Sequence, residues 1–327
     1  MRTIAIEEHF TTPKFLDGPG RLNKEGIQKN GGERGAKLLA QLADIGDQRI
    51  AEMDAAGLDM QVLSLNSPGV EQSDAADAIA VARDANDVLA AAVRQYPTRF
   101  AGFASLPVMA PEQAADELER CVRDLGFKGA NINGHSRGRY LDDAFFAPLL
   151  ARAEALNVPL YLHPTIAPKA VMEASYAGLH PAASMMLAGP GWGWHIETAM
   201  HILRMMLGGV FDRYPKLQMV IGHMGEALPF MMPRIEAQGA LLPPTARPQK
   251  PLGDYLRQNV HYTFGGFNYA STFQTLLSTV GPERIMYSVD YPYGSMATAR
   301  AFLDTLPVSD AEREAIAHGN AEKLLGL

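Results

Sequence analysis

An apolar or β-branched run followed by a helix-patterned stretch recurs eight times along the chain, and this alternation limits the fold more than any other feature. The runs are Thr3–Phe10, Met60–Leu65, Phe100–Pro107, Gly126–Gly134, Pro159–Pro164, Gln218–Gly225, Asn259–Gly266 and Arg284–Pro292. Between them, stretches such as DAIAVARDANDVLAAAVRQYP and PEQAADELERCVRDLGF place apolar residues three and four apart, the spacing of a helix with one buried face. Strands alternating with helices specify a parallel sheet, and eight repeats specify a closed (β/α)8 barrel, the TIM barrel. A doubly wound open sheet is the runner-up. It uses fewer strands, and no GxGxxG follows the first run. With 327 residues, the chain fits one barrel of about 250 residues plus insertions, so residues 1–327 read as one domain. Three stretches break the alternation and are expected as loops: Thr11–Arg34, Thr165–Gly193 and Leu242–Pro251. Ser309–Leu327 is expected to add a C-terminal helical extension, a hairpin.

Composition removes several classes of function. A net charge of -7 lacks the basic field of a nucleic-acid binder. Hydrophobic residues at 47% support a sizeable core, which rules out disorder as the main state. One cysteine, Cys121, cannot form an internal disulfide and reads as a packed thiol. The opening MRTIAIEEHF is interrupted by carboxylates and a histidine and does not read as a signal peptide. No stretch approaches about 18 unbroken apolar residues, so neither a membrane span nor a membrane partner is expected, and the expected location is cytoplasmic.

The ends of the strands carry the chemistry. In TIAIEEHF alternate side chains share a face, so Glu7 and His9 are expected to lie with Thr3 and Ala5, and Ile4 and Ile6 to pack outward under helices. A carboxylate and an imidazole two apart can both reach one ion. His163 closes LYLHP, His223 closes VIGHMGE and Asp290 closes YSVDYPY. In a barrel, strands one, five, six and eight thus deliver ligand-type side chains to one end, where barrel active sites form.

These stretches, with ING in strand four, the long GWHIETAMHILRMMLGGVFDRYPKLQMVIGHMGEALPFMMPRIE and the terminal NAEKLL, resemble the amidohydrolase superfamily. Within it they resemble the decarboxylase branch typified by γ-resorcylate, 2,3-dihydroxybenzoate and 5-carboxyvanillate decarboxylases. The resemblance implies that Glu7, His9, His163 and Asp290 hold one divalent ion, Zn or Mn. It implies that His223 stands beside the substrate with Glu226 as its partner, and that Asn133 and Arg234 contact substrate. Phe10, Tyr291 and Tyr293 flank ligands and are candidates for an aromatic wall, with Phe10 and Tyr293 facing the substrate. The implied activity is metal-dependent, non-oxidative decarboxylation of an ortho-hydroxylated aromatic acid by a homodimer or homotetramer, a lyase reaction in which Asp290 protonates the ring. A hydrolase, lactonase or hydratase using metal-activated water shares the same ligands and stays open. So does an idle barrel serving as a scaffold. DYPYGS and FGGFN depart from the branch on the rim, where substrate identity is set.

Other residues carry plainer expectations. Glu8 should point away from the barrel centre. His201 and Glu197 read as helix packing or an interface, and His135 and Arg137 as solvated loop residues. His180 and Trp192 stand between lining a pocket and packing a loop.

Overall fold

The computed structural model describes residues 1–327. Nine short strands run in order: β1 (Ile4–Phe10), β2 (Met60–Leu65), β3 (Phe100–Gly102), β4 (Ala104–Ser105), β5 (Ala130–Asn133), β6 (Leu160–His163), β7 (Met219–Ile221), β8 (Val260–Thr263) and β9 (Ile285–Met286). All neighbours pair in parallel. β3 and β4 form a single stave broken at Phe103, whose N–H still donates to the Leu63 carbonyl at 2.9 Å. The last stave returns to the first. The Ile6 amide donates to Tyr287 at 3.2 Å, the His9 amide donates to Tyr291 at 2.8 Å, and Glu8 bridges Tyr291. The sheet is therefore a closed TIM barrel, which excludes the open-sheet alternative.

Each stave feeds a helix that buries its apolar stripe against the barrel. Ala75–Gln95 turns Ala78, Ala82, Ala85 and Leu89 inward, three and four apart. Pro111–Arg123 buries Ala114, Leu118 and Cys121, so the lone thiol is core. Helix ends follow local chemistry: Asp47–Ala56 stops at left-handed Gly57 (φ 69) and Ala147–Leu156 at left-handed Asn157 (φ 53).

The barrel interior differs from the simple alternation. Ile4 and Ile6 pack inside the ring with Met60, Val62, Phe103, Tyr161, Val220 and Met286, whereas Ala5 joins the outer core. The cause is a bulge in β1. Ala5 pairs with Gln61 and Glu8 with Leu63, so β1 advances three residues while β2 advances two. One extra residue inverts the side-chain parity, and both halves of β1 point inward. Glu7 and His9 face inward as expected, on top of Ile4 and Ile6.

Two of the three expected loops are helical. Thr11–Arg34 forms Pro13–Asp17, Arg21–Asn30 and the start of Gly32–Ala43. Lys, Glu, Gln and Arg in RLNKEGIQKN are good helix formers, and together they outweigh about 1 kcal/mol lost at Gly26. Thr165–Gly193 contains Lys169–Val171, a wide-turn segment Met172–Tyr176, and Pro181–Ala188, which starts at a proline suited to a first helical turn. Leu242–Pro251 is irregular apart from one turn at Pro244–Ala246. The C-terminal segment is one bent helical run and not a hairpin. Asp310–Glu314 passes through a wide turn at Ala315–Gly319 into Asn320–Leu325 without a reversal, because Gly319 keeps a right-handed helical φ of -59. Ala321 and Leu325 from this run close the bottom of the barrel. No helix is long and apolar enough to cross a membrane.

Candidate active site

A cavity of about 1640 Å³ opens at the C-terminal end of the staves. Its floor carries His163, His223 and Asp290, and Phe267 and Tyr293 stand beside them. Donor atoms of His9, His163 and Asp290 lie within 4.8 Å of one another. His9 Nε2 is 3.1 Å from Asp290 Oδ1, and the His9 and His163 rings meet edge-on at 4.8 Å.

Glu7 lies outside that tight trio but borders it. Its Oε2 accepts from the hydroxyls of Thr263 at 2.6 Å and Ser288 at 3.3 Å. Its Oε1 is buried without a hydrogen-bond partner, with His223 Nδ1 3.9 Å away, a costly state for a carboxylate oxygen that a cation relieves. The carboxylate also lies against two backbone positions without side chains. A Cβ on Gly222 would come within 2.4 Å of Oε1, and one on Gly265 within 2.8 Å of Oε2.

The other donors are also set for a cation. His163 Nδ1 lies 2.8 Å from the Pro164 carbonyl, which can only accept. The ring therefore carries its hydrogen on Nδ1 and keeps the Nε2 lone pair free. Burial, with His9 and His223 nearby, pulls His163 down to about 3, so it is neutral at physiological pH. Two carboxylates and two imidazoles are a donor set that Zn and Mn both accept.

Around the trio the backbone is held in a strained region. Asp290 has φ 65, and His223, Met224, Glu226 and Ala227 have φ 51, 55, 56 and 66. Such residues cost on the order of 1 kcal/mol or more each and persist only where the surroundings impose them. At Asp290 the imposing group is Glu8. Its carboxylate accepts the amides on either side, Val289 at 2.8 Å and Tyr291 at 3.2 Å, and also Gln61 Nε2 at 3.3 Å. Glu8 thus points away from the barrel centre, as expected, and burial holds its carboxyl well above the usual range.

His223 Nδ1 meets Glu226 Oε1 at 2.7 Å. Burial lowers His223, but Glu226 and Glu7 outweigh it and carry it up to about 10, while His223 and His195 hold Glu226 below its ordinary value against burial. Sequence reasoning missed His195. Its Nδ1 lies 2.6 Å from Glu226 Oε2, its ring meets His223 at 4.7 Å, and it lines the cavity. GWHIE offered one signal, a histidine two residues before the Glu197 of the helix, but no strand end marked it.

Several expected contacts are not at the cavity. Asn133 is buried and turned to Glu71, to which its amide N–H donates at 2.6 Å and its Nδ2 at 3.2 Å. Desolvation lifts that glutamate to about 7. The resemblance implied a substrate contact at Asn133, but a buried carboxylate that no motif announced holds it instead. Arg234 is exposed on the helix Leu228–Gly239 and is absent from the cavity wall, because that helix turns Leu228, Pro229 and Met232 inward instead. Phe10 is 1% exposed in the outer core, since the β1 parity after the bulge sends it away from His9. Tyr291 also turns away, its ring under Arg49 and its hydroxyl donating to Glu52 at 2.8 Å. Tyr293 does line the cavity, with its ring 5.8 Å from His9 and its hydroxyl donating to Asn66. His135 lines the cavity too and is buried, contrary to the solvated expectation, because Gln72 and the Ile166 carbonyl engage it. Arg137 is exposed beside Asp74. Trp192 is 51% exposed, and Trp194 takes the cavity place instead. His201 is packing: its Nε2 accepts the Leu141 amide at 2.8 Å.

The chain matches the amidohydrolase family model over residues 35–327. It is 39% identical over 334 residues to a γ-resorcylate decarboxylase of Rhizobium sp. strain MTP-10005, covering 99% of this chain and 98% of that one. A solved 2,6-dihydroxybenzoate decarboxylase with bound 2,6-dihydroxybenzoate superposes with a TM-score of 0.91 at 37% identity, covering all of both chains. A dihydroxybenzoic acid decarboxylase from Polaromonas sp. JS666, with manganese and 2-nitroresorcinol, gives 0.90 at 38% identity over 100% of this chain and 97% of that one.

Proposed function

The chain belongs to the amidohydrolase family, and on that premise we propose that it is a metal-dependent, non-oxidative decarboxylase of an ortho-hydroxylated aromatic acid. The observation that carries this reading is the convergence of His9, His163 and Asp290 beside the unpartnered Oε1 of Glu7. Those four residues would hold one divalent cation, manganese by the likeness to the Polaromonas enzyme. A cation held there supplies Lewis-acid stabilisation and a template for the substrate's carboxylate and neighbouring phenolic oxygen.

The side chains do the rest. His223, with Nδ1 committed to Glu226 and held protonated by it, donates Nε2–H to the phenolic oxygen and so orients the ring. Tyr293 and Phe267 border the ring and keep water from its faces. Asp290 would take up the phenolic proton and pass it to the ring carbon that bears the carboxylate. A C–H bond forms there, the C–C bond to the carboxylate breaks, its electron pair restores the aromatic ring, and CO2 leaves. Glu8 fixes the backbone on both sides of Asp290, so the acid meets that carbon from one direction.

The homo-oligomer belongs to the same proposal, supported by exposed Phe230 (76%), Met231 (44%) and Leu241 (75%) on and beside the helix that carries Arg234. Sedimentation of the purified chain tests it. A cytoplasmic location also stays part of the proposal, tested by cell fractionation.

The function is tested by measuring CO2 from 2,6-dihydroxybenzoate, 5-carboxyvanillate and other ortho-hydroxybenzoates with manganese-loaded protein. Release of CO2 is expected from at least one. No CO2 across the panel, with solvent oxygen entering a lactone instead, would turn the reading to hydrolysis.

A further inference from the structure

His195 has acceptors on both sides of its ring. Nε2 is 3.0 Å from the Pro190 carbonyl, and Nδ1 is 2.6 Å from Glu226 Oε2. A carbonyl only accepts, so Nε2 carries a hydrogen. Were Nδ1 then bare, its lone pair would face a carboxylate lone pair at hydrogen-bond distance. The contact requires one proton between Nδ1 and Oε2. Glu226 is 1% exposed, and its other oxygen is taken by His223 Nδ1 at 2.7 Å. The cluster is packed: Phe267 meets the His195 ring at 5.1 Å and the His223 ring at 5.4 Å. Pro190 ends the segment that walls one side of the cavity, and His195 stands on the helix Gly193–Leu207 that follows it. That turn is close: a Cβ on Gly193 would come within 2.3 Å of the Ala188 carbonyl.

We propose that His195 is a positioning residue with two tasks: it donates a hydrogen bond from Nδ1 to Glu226 Oε2 behind His223, and it latches the cavity wall at Pro190 to the His223–Glu226 pair. This rests on the reading of that pair as the one that orients the phenolic oxygen. With Glu226 bound on both oxygens, His223 is fixed in one orientation, Nδ1–H toward Glu226 and Nε2 toward the cavity. Closure of the wall and alignment of that donor then depend on one ring.

Two substitutions separate the tasks, because each keeps one nitrogen. Asparagine places its amide nitrogen near Nδ1, and glutamine near Nε2. The full chain, loaded with manganese and assayed with 2,6-dihydroxybenzoate, is expected to keep kcat within about threefold in His195→Asn. In His195→Gln and His195→Ala, kcat is expected to fall about tenfold or more with little change in KM, the size typical of lost outer-layer partners. Amide hydrogen exchange over residues 165–192 is expected to run the other way: parent-like in His195→Gln, and faster in His195→Asn and His195→Ala. A merely structural role would move both measurements together. If the Asn and Gln variants behave alike in both, the proposal is overturned. Glu226→Gln is the separate control on the underlying reading. If it turns over normally, the orienting role of the pair falls. The latch then stands or falls on the exchange pattern alone, which also decides if the parent does not turn over this substrate.

Discussion

Asp290 is asked to do two things: hold a cation and pass a proton to carbon. Replacing it by asparagine keeps the shape and removes the acid. Asp290→Asn is expected to lower kcat by about 10³-fold or more, in the range of a lost general acid, with metal content measured on the same samples. Normal turnover with metal in place would remove Asp290 from the chemistry. A second residue-scale prediction concerns stability. Burial first, then neighbouring charges, pulls His201 down to about 3. The unfolded chain therefore binds more protons than the native one between that value and about 6.5, and stability falls as pH drops through that window. His201→Gln, whose amide oxygen can still accept from Leu141, is expected to remove about 2 kcal/mol of the loss between pH 7 and pH 5. Urea unfolding of both proteins at the two pH values measures it, and equal pH slopes would refute it. At this scale the residues legible in the sequence were those at strand ends: His163, His223 and Asp290 line the cavity, and His9 and Glu7 lie directly against them. Asn133 was misjudged because its partner, Glu71, lies 62 residues away on another loop, and no spacing rule announces such a pair.

At the scale of elements, the staves were readable because buried parallel strands are short apolar runs between strong breakers. Their faces were not all readable. A bulge leaves no mark in composition, so alternation counted from Thr3 put Ile4 and Ile6 on the wrong side. The wall segments were misjudged for the opposite reason, since glycine and proline suggested coil where local propensity and capping built short helices. The turn after β7 gives a direct test of the Glu7 site. Gly222 has φ -83, which any residue adopts, but a Cβ there would meet Glu7 Oε1 at 2.4 Å. Gly222→Ala is expected to weaken manganese affinity by about 10- to 100-fold while the circular dichroism spectrum stays native. Unchanged affinity in a metal titration would mean that Glu7 is not a ligand.

For the whole molecule, closure of the ring brings together residues from positions 7 to 290, so metal binding reports on the integrity of the barrel. A ligand that binds only the folded state at 100 times its dissociation constant stabilises it by about 2.7 kcal/mol. Stripping the cation with a chelator is accordingly expected to lower Tm by about 5 °C and abolish turnover, with both restored by manganese. A melting curve indifferent to chelator and to added manganese would contradict the site. The architecture was legible at this scale because eight repeats leave few alternatives. Which contacts seal the ring was not legible, because Glu8 meets the Val289 and Tyr291 amides from the opposite end of the chain.

That last join has a kinetic meaning. Seven seams of the cask are held by strand ladders, while the eighth has two backbone hydrogen bonds and, near its rim, a carboxylate rivet. Thermal breathing should begin at the rivet, loosening the rim while the base, plugged by Ala321 and Leu325, stays shut. Ion escape and first fraying would then be the same event.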